Sequence, residues 1–158
     1  MPLCDEETTM NNGNKDIAME LFDRIREAYP SLAMNLDPEP GEVELSFAIP
    51  AQEGLEFSIA LNLQNNDELH LCAGELWVSW FPCEKESVSE RFYVAVTGLL
   101  SGQNRIVEHW RGKRCVKAEL QELKRGRWQV LATSSGSLPF PFPWKKTTNV
   151  LRNTQEAE

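Results

Sequence analysis

Val43-Glu44-Leu45-Ser46-Phe47-Ala48-Ile49 alternates large apolar residues with polar or small ones, without a break. Successive side chains of a strand point to opposite faces. Val43, Leu45, Phe47 and Ile49 therefore turn one way, and Glu42, Glu44, Ser46 and Ala48 the other. That is a strand with one face on a core. Leu55, Phe57, Ile59, Leu61 and Leu63 repeat the pattern, and Asn65-Asn66-Asp67 supplies a hairpin turn. Leu69 and Leu71 continue it, and after Gly74 comes Leu76-Trp77-Val78-Ser79-Trp80-Phe81. The centre of the chain thus reads as a meander of three or four antiparallel strands.

On both sides of the meander the period changes to that of a helix. Upstream, Ile17, Leu21, Phe22, Ile25 and Tyr29 recur at spacings of three and four, with Asn14 as the expected N-cap and Pro30 as the stop. Residues 1–14 read as a flexible polar lead-in, and Asp37-Pro38-Glu39-Pro40-Gly41 as a loop. Downstream, Ser87-Val88-Ser89-Glu90 has the form of a capping box. Val88, Phe92, Ala95, Val96 and Leu99 then line one face, and Gly102 is a natural C-terminal stop.

Further strands are expected over residues 105–111, 114–123 and 128–133, turning at Arg111-Gly112-Lys113 and Arg125-Gly126. The sequence therefore predicts one α+β domain over residues 15–152, followed by a flexible tail over residues 153–158. Its expected architecture is a single antiparallel sheet of six to seven strands, with two helices packed on one face. This element order resembles the helix–meander–helix–meander plan of small acidic adaptors and chaperones of bacterial secretion systems. The resemblance lies in element order alone and implies a small protein-binding role.

The charge is divided along the chain. Met1 to Asn104 holds 19 Asp and Glu against 5 Lys and Arg, a net of −14. Arg105 to Glu158 holds 11 basic and 5 acidic residues, a net of +6, and the whole carries −8. Such a division points to an intramolecular electrostatic match or to a surface that meets a charged partner. The overall acidity argues against nucleic acid as the main partner, because a polyanion repels a polyanion. No apolar run approaches the roughly 20 residues that span a bilayer. The acidic start, Met1-Pro2-Leu3-Cys4-Asp5-Glu6-Glu7, has neither a secretory apolar stretch nor a cationic transit pattern. The expected location is the cytoplasm, where Cys4, Cys72, Cys83 and Cys115, set at wide and irregular intervals, stay reduced.

Three segments could carry chemistry. Glu68, His70 and Cys72 alternate on one strand and share a face, a donor set that could bind a metal or activate a thiolate. Residues two apart lie about 6.5–7 Å apart along a strand, which predicts no direct hydrogen bonds among them. A site would need His109, Cys83 or Cys115 to converge on that face. The stretch 105–127 interleaves Arg105, Arg111, Lys113, Arg114, Lys117, Lys124, Arg125 and Arg127 with Trp110, and Trp128 follows. Basic residues beside aromatics can hold single-stranded nucleic acid. Leu138-Pro139-Phe140-Pro141-Phe142-Pro143-Trp144 sets its three prolines on one side of an extended chain, as an outermost strand or a docking segment would.

The chain has no Gly-rich phosphate loop, no HExxH and no nucleophile elbow. The expected function is non-catalytic protein binding by a small cytoplasmic adaptor, immunity or chaperone-like protein. Its candidate binding residues are Phe140, Phe142, Trp144, Trp110, Arg111 and Arg114, and neither cofactor nor metal is expected. A small Cys/His-dependent enzyme or metal protein is the alternative. A binder of acidic ligand or nucleic acid through the basic C-terminal hairpins is the third.

Overall fold

The computed structural model describes residues 5–136 and 145–155, and of residues 5–12 only the backbone. The chain runs α1 (Asp5–Ala28), β1 (Asn35–Asp37), β2 (Leu45–Ile49), β3 (Ile59–Gln64), β4 (Glu68–Ala73) and β5 (Leu76–Trp80). It continues through α2 (Glu86–Ser101), β6 (Asn104–Arg111), β7 (Arg114–Lys124), β8 (Arg127–Ser135) and β9 (Lys146–Leu151). No helix among the described residues is long and apolar enough to cross a membrane.

The fold is α+β as expected, but the strands form two antiparallel sheets and not one. The first has five strands in the order β1-β2-β3-β4-β5, and the second has four in the order β8-β7-β6-β9. Alternation shows which side chains turn inward, yet it is silent on which strand lies beside which. The chain leaves β5 through α2 and re-enters as β6, which pairs with β7 and β9 and not with β5. β9 itself, Lys-Thr-Thr-Asn-Val-Leu, has too little apolar alternation to be read as a strand.

The meander behaves as its pattern requires. Leu45, Phe47, Ile49, Leu61, Leu63, Leu69 and Leu71 are all essentially inaccessible. Val43 lies outside β2 and is only half-buried, and Phe57 packs at the margin of the core. Asn65 and Asn66 both take positive φ in the β3–β4 turn, a conformation asparagine tolerates better than most residues. From α1, Phe22 stacks on Phe47 at 5.0 Å between ring centroids, and Phe92 of α2 meets both Phe22 and Trp80. α2 packs on β4 and β5 of the first sheet and on β6 of the second. Ile106, Ala118 and Leu120 of the second sheet join the same apolar cluster, so the two sheets share one core.

The helix ends differ from expectation. α1 runs back to Asp5, beyond the predicted cap at Asn14. Gly13 and its asparagine neighbours lower helix propensity, but only proline forbids a helix sterically. α2 starts two residues earlier than the capping box placed it. Its N-cap is Lys85, with no side-chain capping bond, and the Ser89 hydroxyl donates to the Glu86 carbonyl. Gly102 does end the helix, at φ 81°.

The tail expected from Asn153 onward is tied down at its start. Asn153 is 2% exposed, and its amide donates to the carbonyls of Gly54 and Leu100 at 2.8 and 2.7 Å. Arg152 donates to the Gly102 carbonyl, so the chain after β9 satisfies carbonyls that the end of α2 leaves open.

Candidate functional site

The charge boundary read from the sequence falls at the first residues of β6. The anionic part is α1, the first sheet and α2, and the cationic part is the second sheet with its turns. The structure shows three ion pairs among the described residues, Arg24–Glu90, Arg26–Asp23 and Lys117–Glu119, and two histidine–carboxylate hydrogen bonds, His70–Glu68 and His109–Glu119. Every one lies within a single part. Direct pairing thus does not join the two parts among these residues.

Two small polar networks use both histidines. On the outer face of the first sheet, the Trp77 indole N–H donates to His70 Nδ1 at 2.7 Å. The remaining nitrogen, Nε2, then carries the proton and donates to Glu68 Oε2 at 2.9 Å. The hydrogen bond between Glu68 and His70 corrects the expectation drawn from strand spacing. Backbone positions are far apart, but a glutamate and an imidazole lean along the strand and meet. Asn65 also donates to Glu68, and these two bonds hold that carboxyl below its ordinary range. Trp77, 60% exposed, stands at the outer end of this chain.

On the second sheet Glu119 accepts from His109 at 2.9 Å, Lys117 at 3.0 Å and Gln121 at 3.1 Å. Burial pushes this carboxyl up, but the bonds from Lys117 and Gln121 outweigh it and the net shift is downward. Each network is satisfied by its own neighbours.

The residues of the enzyme alternative are spread through the fold. His70 and Cys72 are on β4, Cys83 lies between β5 and α2, His109 is on β6 and Cys115 on β7. No group of three His, Cys, Asp or Glu side chains among the described residues could hold a metal ion. Burial raises the pKa of Cys72 and Cys115, and it pushes Cys83 up to about 11, helped by Glu84 and Asp67. These three sulfurs are thiols at neutral pH, and a thiol is a poor nucleophile and ligand.

Of the predicted binding residues, Phe140, Phe142 and Trp144, with the whole 138–144 edge segment, lie outside the described residues. The other three are adjacent but do not form one surface. Trp110 shares a face with Glu108, to which its indole N–H points at 3.4 Å, while Arg111 is the next residue and faces the opposite way. Trp128 is covered by guanidinium groups, Arg105 at 4.1 Å and Arg152 at 5.0 Å from its ring centroid. The interleaving of basic and aromatic residues therefore does not produce an open stacking platform at Trp128.

What the structure does bring together is Arg111 and Arg114. They stand opposite each other across the β6–β7 hairpin and line, with Gly112 and Lys113, an open depression of about 420 Å³. On the other side of Arg111, in register with it, is Lys146 of β9. Sequence reasoning missed Lys146 because nothing local marks β9 as a strand. A separate apolar groove of about 290 Å³ lies between α2 and β8, lined by Trp80, Val94, Ala95 and Leu131 with Glu90, Arg91 and Glu122.

Comparison with protein-family models, with curated proteins and with solved structures finds no match to this chain.

Proposed function

We propose that this protein is a non-catalytic protein-binding module, a small cytoplasmic adaptor, immunity or chaperone-like protein. The observation that carries the reading is the separation of charge. An anionic body and a cationic sheet are built on one core, and no ion pair among the described residues joins them. Charges that a protein does not pair with itself remain available to steer and hold a partner. Among the described residues the histidines and cysteines are dispersed through the fold and do not converge on one another.

The test is purification of the tagged chain from its native host at low salt, followed by elution with salt. A protein partner that co-purifies in fixed proportion and is released by salt is expected. Recovery of the chain alone at every ionic strength, or a partner that salt does not release, would count against the reading.

A further inference from the structure

Three cations stand in a row across the end of the second sheet. Arg114 of β7 pairs with Arg111 of β6, and Arg111 pairs with Lys146 of β9. Cross-strand partners share a face, with Cβ atoms about 4.5–5.5 Å apart, and like charges so placed destabilise a sheet. The β6–β7 turn adds Lys113, and Lys145 precedes Lys146 at the rim. The Gly112 N–H donates to the Lys145 carbonyl at 3.1 Å, so these cations are borne on hydrogen-bonded strands and their immediate turn. None of them takes part in an ion pair among the described residues. One step further along the same face, Lys117 already has Glu119 as its partner, and so does His109. The sheet therefore supplies a carboxylate for Lys117 in the second row and leaves the first row bare among the described residues.

We infer that the Arg114–Arg111–Lys146 row, with Lys113 and Lys145, is a docking surface for an acidic segment of a partner protein. This rests on the protein-binding reading and adds the face used and the chemistry it takes. Carboxylates suit it because a guanidinium binds them with paired, charge-assisted hydrogen bonds, and binding would relieve the repulsion within the row. Nucleic acid suits it less. Among the described residues Trp110 faces away from the row, and the body of net −14 opposes a long polyanion.

The test compares a short fluorescent Glu-rich peptide with a thymidine oligonucleotide of equal charge, on the whole protein and on an R111Q/K146Q variant. The peptide should bind the wild type more tightly than the oligonucleotide does, and its affinity for the variant should fall on the order of tenfold. The variant's melting temperature should equal or exceed that of the wild type, because a repulsion has been removed. Tighter oligonucleotide binding, unchanged peptide affinity in the variant, or a variant that loses binding and melts earlier would each overturn the inference. So would self-association of the wild type at low salt that the same substitutions abolish, since the acidic surface would then be a second copy's. A native partner retained equally by wild type and variant would sink this surface alone and leave the protein-binding reading standing.

Discussion

Glu108 of β6 accepts the backbone N–H of Glu75 at 2.7 Å, and so fastens the β4–β5 turn of one sheet to the middle of the other. The same carboxylate, 3% exposed, also accepts from Asn149 at 2.9 Å and from the Trp110 indole at 3.4 Å. A buried anion without a cationic partner is tolerable only when several donors satisfy it. Glu108→Ala leaves those donors without their acceptor and should lower stability by about 1–3 kcal/mol. Urea denaturation checks this, and a loss within error of zero would mean the two sheets are held without the clasp.

The same junction gives a paired test at two glycines. Gly74 and Gly126 both have positive φ, 54° and 76°. A Cβ on Gly74 would meet Leu151 Cδ1 at 2.5 Å and Glu108 Oε2 at 2.6 Å, whereas one on Gly126 meets nothing within 4 Å. Alanine at either position strains the backbone by roughly 1–2 kcal/mol. Gly74→Ala should cost clearly more than Gly126→Ala, with the difference measuring the crowding between sheets. Equal melting temperatures for the two variants would place the turn further from β6 and β9 than described.

Glu119 sets an acid limb. Burial raises its pKa, but the bonds from Lys117, Gln121 and His109 outweigh burial and hold it below the ordinary carboxylate value. A carboxyl whose pKa falls on folding adds stability that is complete above the unfolded value and is lost as pH drops through the folded one. Unfolding free energy should therefore fall more steeply in the wild type than in Glu119→Gln between about pH 5 and pH 3. Parallel curves would show that the carboxylate contributes no folding-linked proton uptake.

The readable part of this fold was whatever a single buried face imposes locally. Leu45, Phe47, Ile49, Leu61 and Leu63 must turn inward together, and that pattern is written in consecutive residues. Phe92, Ala95, Val96 and Leu99 do the same for a helix, and Gly102 stops it because the next conformation is left-handed. The partition into two sheets was not readable, since it depends on β6 choosing β7 and β9 over β5 across a long stretch of chain. The contact of His70 with Glu68 does not follow from backbone rise, because side-chain reach decides it. Arg111 and Arg114 are marked by their turn, but the row they belong to depends on the register of Lys146, which no local pattern gives.

Among the described residues the two charged parts form no ion pair with each other, and the proposed function needs them to stay unmatched. Thermal unfolding of the isolated protein as a function of salt tests this most directly. Where repulsion within the anionic body and the cationic row dominates, screening is stabilising, and the screening length falls to about 8 Å by 0.15 M salt. The melting temperature should rise from low salt to that ionic strength. A melting temperature that falls over the same range would mean that attraction between the two parts holds the fold together, and that their charges are spent on each other.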